Sequence, residues 1–181
     1  MRRFTLVQKI RNKIRLKGSL TLKISKKAKI VGCTVISKGS DNTLILEEGV
    51  NLRGVDIEIT GDNSYLSISK NSIIGKNCYL SARDGAKLII EENCMFSRNV
   101  KLMTSDGHPI YKDDKQINNA QNITIRKGVW LADNVTILKG VEVAEGSIVG
   151  INSTLTKSIS SNVIAVGNPA KVVKDGVNWS H

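Results

Sequence analysis

The stretch that decides the fold lies near the C-terminus, where residues 125–159 read IRKGVWLADNVTILKGVEVAEGSIVGINSTLTKSI. An aliphatic residue occupies every sixth position: Ile125, Leu131, Ile137, Val143, Val149 and Leu155. A second small or branched residue follows each after four places: Val129, Val135, Val141, Ser147, Ser153 and Ile159. Neither a helix nor an ordinary strand imposes a period of six. The pattern is typical of a parallel β-solenoid, in which each hexad forms one short side of a triangular coil.

The same spacing extends upstream in a less regular form. Two sets of residues keep it: Ile68, Ile74 and Leu80, and then Ile90, Phe96 and Leu102. The phase shifts between the sets, and Gly or Asn recurs where tight corners need a left-handed backbone. We therefore expect an all-β chain in which residues 19–175 form one solenoid domain and residues 176–181 a short tail.

The N-terminal segment has a different composition, and residues 1–18 are predicted to form a short basic amphipathic helix. Its apolar stripe consists of Phe4, Val7, Ile10 and Ile14. Two interpretations stay open and can coexist. The helix can cap the exposed end of the solenoid, or residues 1–17 can make a peripheral contact with a membrane of anionic lipid or with an anionic polysaccharide.

The charge of the 181-residue chain is concentrated at one end. The formal net charge is +11, yet residues 1–40 hold twelve Lys or Arg and no acidic residue. Phe4 is the only aromatic residue there, so the side chains that stack on bases are missing, and we expect no nucleic-acid partner.

The sequence also indicates the cellular compartment of the protein. It has no apolar run long enough to span a bilayer and no secretory signal pattern. Cys33, Cys78 and Cys94 are predicted to be reduced core residues, because free cysteine packs as a small hydrophobic side chain. These features predict a cytoplasmic protein, with the inner face of the membrane as a second location.

A polar excursion interrupts the repeat at residues 103–122 and contains the only internal histidine, His108. Long insertions in a regular framework are commonly functional or disordered. Three further motifs accompany the hexads: TSDGHPI at 104–110, GVWLA at 128–132 and GNPAK at 167–171.

Together these features resemble the hexapeptide-repeat acyltransferases, and more narrowly the bacterial O-acetyltransferases that modify sugars or surface polysaccharides. The resemblance is strongest over residues 68–175. It implies a left-handed parallel β-helix that assembles as a homotrimer, with acetyl-CoA bound in the groove between subunits.

The resemblance also implies catalytic roles. His108 is the candidate general base, because a sugar hydroxyl must lose its proton as it attacks a thioester, and an imidazole suits that task. Asp106 is expected to orient the ring of His108 or to stabilise its charged form. Trp130 is expected to stabilise the oxyanion through its indole N–H.

Eight residues are expected to contact acetyl-CoA: Ala132, Gly150, Ser153, Thr156, Lys157, Asn168, Pro169 and Lys171. Ala132 stands where the family usually has glycine, which crowds the expected path of the pantetheine arm. No metal site is expected. The γ-type carbonic anhydrases share this fold but need three histidines, and the chain has two.

These inferences predict an acetyl-CoA-dependent O-acetyltransferase that acts directly on a hydroxyl of a sugar or a bacterial surface polysaccharide. Two alternatives remain open: N-acetylation of an amino sugar or nucleotide sugar, and a β-helix scaffold without catalytic activity.

Overall fold

A computed structural model describes residues 4–180 of the chain. The first three residues of the predicted N-terminal helix lie outside the described residues. In chain order the elements are α1 (Leu6–Arg11), β1 (Lys13–Ile24), β2 (Lys29–Val31), β3 (Thr34–Leu46), β4 (Asn51–Arg53), β5 (Asp56–Thr60), β6 (Tyr65–Ile68), β7 (Ile73–Ile74), β8 (Tyr79–Arg83), β9 (Lys87–Ile90), β10 (Met95–Phe96), β11 (Lys101–Met103), β12 (Tyr111–Lys112), β13 (Lys115–Gln116), β14 (Ile123–Ile125), β15 (Trp130–Leu131), β16 (Thr136–Ile137), β17 (Glu142–Val143), β18 (Ile148–Val149), β19 (Thr154–Leu155), β20 (Ile164–Gly167) and β21 (Ala170–Lys174).

The strands stack in parallel into three faces of a triangular solenoid. Face 1 runs in the order β1-β3-β5-β8-β11-β16-β19, and face 2 in the order β1-β3-β6-β9-β14-β17. Strands β1 and β3 are long enough to cross the edge between these two faces. Face 3 runs in the order β2-β4-β7-β10-β15-β18-β20, and β21 closes it by pairing antiparallel with β20. The parallel solenoid predicted from the hexads is confirmed.

The core consists of aliphatic columns that run along the solenoid axis. On face 1 one column comprises Ile57, Leu80, Leu102, Ile137 and Leu155. Each of these side chains is at most 1% exposed. Burial of one such side chain stabilises the fold by about 1.5–3 kcal/mol, so the columns supply the main driving force for folding.

Coil length explains the phase shift in the upstream repeat. A hydrogen bond between neighbouring coils joins residues 22 positions apart at Asn42 and Ser64, but 18 positions apart at Asn134 and Asn152. The longer coils carry strands of five and four residues, β5 and β6, where the shorter coils carry two-residue strands. The additional residues displace the hexad pattern without changing the stacking.

The corners use left-handed backbone, as predicted. Asn99, Asn134 and Asn152 have φ angles of 59°, 60° and 57°. Their side-chain amides form a ladder across three coils, with hydrogen bonds of 2.9 and 2.8 Å. Asparagine tolerates this conformation because its short polar side chain can bond locally.

The N-terminal helix is shorter than predicted. It begins after Thr5, which forms a capping box with Gln8, and it ends at Arg11. Strand β1 starts at Lys13, so the prediction of helix through residue 18 is wrong beyond Arg11. The physical reason is the alternation of charged and apolar residues from 13 to 17, a period of two that pairs in register with β3.

The apolar stripe of the predicted helix is divided between two environments. Phe4 is 6% exposed and Ile14 packs against the core. Val7 and Ile10 are 56% and 76% exposed, and Leu6 beside them is 74% exposed. No helix within residues 4–180 is long and apolar enough to cross a bilayer.

Candidate active site

The excursion leaves the solenoid at the edge between faces 1 and 2, which we call the excursion edge. It connects β11 to β14 and folds into a small antiparallel hairpin of β12 and β13. Asp113 and Asp114 form the hairpin turn with φ angles of 49° and 58°. The excursion therefore has its own local structure.

A lysine of the next coil anchors the excursion. Lys139 Nζ lies 2.5 Å from Asp106 Oδ2 and 2.9 Å from the carbonyl oxygen of Asn118. Asn118 Nδ2 donates in turn to Asp106 Oδ2 and to the carbonyl oxygen of His108. The hydrogen bond from Lys139 is the main cause of a lowered pKa of Asp106, which is thereby held in its charged form.

These contacts change the interpretation of Asp106. Within residues 4–180 no hydrogen bond joins Asp106 to the imidazole of His108, and its Oδ2 accepts from Lys139 and Asn118. In the single chain the contacts of Asp106 and Asn118 hold the backbone around His108, and the role of Asp106 toward the imidazole stays a prediction.

His108 is exposed and borders a cavity of about 460 Å³ at the excursion edge. The wall opposite the excursion is formed by Arg83 and Asp84 at the end of β8. Tyr111 and Asn118 contribute the polar side chains of the excursion itself. A volume of this size lies in the range of small-molecule sites.

Trp130 lies on face 3 and contacts the C-terminal tail. Its Nε1 donates to Ser97 Oγ at 3.3 Å. The ring of Trp179 lies 5.8 Å from that of Trp130 at an interplanar angle of 44°, and Trp179 Nε1 donates to the carbonyl oxygen of Gly128 at 2.6 Å. An aromatic pair at this separation is stabilising, so the tail is held over Trp130.

His108 and Trp130 lie on opposite sides of one chain. His108 is at the edge between faces 1 and 2, and Trp130 is on face 3, which is the side of the triangle opposite that edge. The structure therefore does not bring the two predicted catalytic side chains together within a single chain.

Two of the predicted cofactor residues, Ala132 and Gly150, lie on face 3 near Trp130. A Cβ on Gly150 would be 2.6 Å from Cγ1 of Val166, so this glycine makes room for a neighbouring side chain. Ser153 requires correction. It is fully buried, and its hydroxyl accepts from the amide of Gly167 at 3.0 Å, because the second position of the hexad points inward.

The remaining predicted cofactor residues fall into two groups. Thr156 and Lys157 are exposed at the excursion edge, where they follow β19. Asn168, Pro169 and Lys171 lie in the hairpin between β20 and β21, and the Asn168–Pro169 peptide bond is cis. Like the catalytic pair, the cofactor residues are divided between the excursion edge and the region of face 3.

Comparison with known proteins finds O-acetyltransferases among the relatives of this chain. No family model matches the chain. The polysialic acid O-acetyltransferase of Escherichia coli O1:K1 / APEC is 38% identical over 115 residues, which cover 60% of this chain and 38% of that protein. The galactoside O-acetyltransferase of Escherichia coli K12 is 32% identical over 117 residues, covering 61% of this chain and 57% of that protein.

A solved structure extends the similarity over nearly the whole chain. The crystal structure of the polySia-specific acetyltransferase NeuO superposes with a TM-score of 0.76 at 34% identity, covering 95% of this chain and 83% of that one. The chain belongs to the hexapeptide-repeat acyltransferase family. The left-handed parallel β-helix expected for such an acyltransferase is thereby confirmed. The matched segment spans about two fifths to three fifths of the two curated relatives.

Two residues of this hexapeptide-repeat acyltransferase were not anticipated from the sequence. Arg83 comes well before the excursion and reaches the His108 cavity only because β8 stacks beside β11. Trp179 follows the last strand, and nothing in the repeat indicates that the tail returns to Trp130. A lone aromatic residue in a polar tail was the one available signal for Trp179.

Proposed function

We propose that the protein is an acetyl-CoA-dependent O-acetyltransferase that acts on a sugar hydroxyl. The observation that carries this proposal is an exposed histidine, His108, at a cavity on an anchored excursion of a hexapeptide-repeat acyltransferase. The relatives named polysialic acid O-acetyltransferase and galactoside O-acetyltransferase support transfer to oxygen.

The proposed reaction is a direct transfer. The acceptor hydroxyl gives its proton to His108 while its oxygen attacks the thioester carbonyl carbon, which produces a tetrahedral oxyanion. The oxyanion collapses, the carbon–sulfur bond breaks, and the CoA thiolate leaves and takes up a proton. The indole N–H of Trp130 stabilises the oxyanion, and its present bond to Ser97 Oγ, at 3.3 Å, is long enough to be exchanged readily.

We propose a homotrimer, because the two halves of the site lie on opposite sides of each chain. A column of outward-facing apolar residues on face 3 supports this assembly: Ile73, Met95, Trp130, Ile148 and Ile164. Ile73 is 39% exposed in the single chain. A neighbouring subunit that covers this column would bring its own excursion edge toward Trp130.

The proposed cosubstrate, acetyl-CoA, lies between subunits. Lys157 and Lys171 are exposed, and neither takes part in the ion pairs found within the described part of the chain. Both are therefore available to the phosphates of CoA as point charges. Thr156 is next to Lys157 and Asn168 is close to Lys171 in sequence, so we place both beside the same phosphates. We place the backbone of Ala132 and Gly150, on face 3, along the pantetheine arm.

The proposed acceptor is a sugar or a polysaccharide, and the proposed location is the cytoplasm at the inner face of the membrane. The exposed side chains of Leu6, Val7 and Ile10 beside a basic first strand suit a contact with anionic lipid. Removal of residues 1–11 would test this contact. It should weaken the association with anionic vesicles and leave acetyl-CoA binding unchanged, whereas equal loss of both would indicate a cap alone.

The experiment that tests the activity measures thiol release from acetyl-CoA with a panel of acidic, neutral and amino-sugar acceptors. The His108→Ala variant should lose about 10²–10⁴-fold in rate, and Lys112→Ala, on the same excursion but outside the cavity, should retain it. Amino-group acetylation would favour N-transfer. Absence of acetyl-CoA binding would refute the proposed enzyme.

A further inference from the structure

Arg83 lines the His108 cavity and carries a donor without a partner in residues 4–180. It is the last residue of β8, and its Nε is buried without a hydrogen-bond partner in residues 4–180. No carboxylate in this described part of the chain forms an ion pair with it. A charged group with a buried unpaired donor is costly, and an anion bound to the guanidinium at the cavity would offset part of that cost.

The position of Arg83 is fixed by the excursion. Its backbone amide donates to Thr104 Oγ1 at 2.9 Å, and Thr104 is fully buried. A Cβ built on Gly107 would lie 3.6 Å from Nη1 of Arg83, so the guanidinium packs against the turn that precedes His108. The arginine and the histidine therefore line the same cavity from two different coils.

The neighbouring carboxylates have other partners. Asp84 Oδ2 accepts from Ser105 Oγ at 3.3 Å. Asp106 is bound by Lys139 and Asn118. Arg83 and Asp84 bring opposite charges to this wall, so the cavity has no surplus of positive charge for a doubly charged phosphate, and a singly charged group suits it better. The planar fork of an arginine matches a carboxylate in a bidentate geometry.

We propose that Arg83 binds the carboxylate of an acidic acceptor sugar and thereby orients the acceptor hydroxyl toward His108. This inference rests on the proposed function and adds the chemical class of the acceptor. Arg83 is a specificity residue, since it binds substrate at a group that does not react. Neutral sugars lack the anion and leave the charge of Arg83 without a partner.

The test compares a sialic-acid oligomer and a uronic-acid oligomer with their carboxyl-reduced forms as acceptors for Arg83→Gln and Arg83→Lys. Lys38→Gln is the matched control, because Lys38 occupies the same register column of face 1 two strands away and is exposed. Arg83→Gln should raise KM for the acidic acceptors by about 10- to 100-fold, the effect of losing a charged hydrogen bond. Lys38→Gln should leave it unchanged, and Arg83→Lys should fall between the two.

Three results would overturn the inference. They are an equal effect of Arg83→Gln on acidic and reduced acceptors, a raised KM for acetyl-CoA, and a changed oligomeric state by sedimentation. Equilibrium binding of the same oligomers to the unmodified protein and to Arg83→Gln separates this inference from the proposed activity. If the oligomers bind through their carboxylates and Arg83→Gln abolishes that binding, the proposed role of Arg83 is supported even when no thiol release is detected. Binding that Arg83→Gln leaves unchanged would refute its role.

Discussion

Two inactive variants, His108→Ala and Trp130→Ala, are expected to restore each other when they are folded together. His108 lies at the excursion edge and Trp130 on the opposite face, so in the proposed homotrimer a complete site would take one residue from each of two neighbouring chains. In a closed ring with random mixing at equal amounts, about one quarter of the sites would combine an intact His108 with an intact Trp130. Thiol release from acetyl-CoA should therefore recover to about one quarter of the unmodified rate.

The control for this experiment is a chain that carries both substitutions, mixed in equal amount with the unmodified chain. Shared sites predict about one quarter of the full activity for this mixture, and sites within one chain predict about one half. Each variant folded alone gives the background. Failure of the two single variants to restore activity, together with one half in the control mixture, would refute the reasoning that the site is shared.

Three further predictions concern the excursion, the core and the thiols. Lys139→Met should speed cleavage of the excursion by protease about two- to fivefold, since the half-exposed Lys139–Asp106 pair contributes about 0.5–1 kcal/mol. Because the pKa of Asp106 is lowered, the greater protease resistance of the unmodified chain is expected at pH values above about 3.9, the usual pKa of an aspartate. It should disappear as the pH falls through the lowered pKa of Asp106. Leu102→Ala should cost about 3 kcal/mol and lower the thermal midpoint by roughly 6–12 °C, because the side chain is fully buried in its column; a shift near zero would contradict that packing. Burial raises the pKa of Cys78 to about 11 and of Cys94 to about 12. Alkylation at pH 8 should thus be at least about 100-fold slower than for a free thiol, as followed by mass spectrometry, and rapid labelling of folded protein would contradict the burial.

The sequence predicted the regular part of the fold well because the hexad pattern and the stacking follow the same rule. Residues such as Leu131 and Ile137 point inward at every side of the coil, so period and structure coincide. The long strands β1 and β3 obey a different rule, since each covers parts of two faces. The alternation of apolar residues at Ile14 and Leu16 belongs to such a strand. It was not recognised because the apolar residues before it are spaced as in a helix.

The candidate site was predictable only in part. The excursion could be located because it interrupts the repeat, and His108 could be singled out by its chemistry. Arg83 could not, since its place beside His108 depends on which coils become neighbours across a gap in sequence. The repeat itself places Ser153 at the inward second position of a hexad, four residues after Val149, and the expected contact with acetyl-CoA disregarded that position.

The parallel pairing of successive coils also bears on how proteins of this kind change length during evolution. Asp56 pairs with Tyr79, and Tyr79 pairs with Lys101, so residues 79–100 form one complete turn. Removal of such a turn would set Lys101 directly on Asp56 and keep every inward residue inward. A deletion of an odd number of residues within a strand would instead turn the residues that follow it in that strand to the opposite side. A whole turn is therefore the unit by which the length of the solenoid can change while its cross-section is preserved.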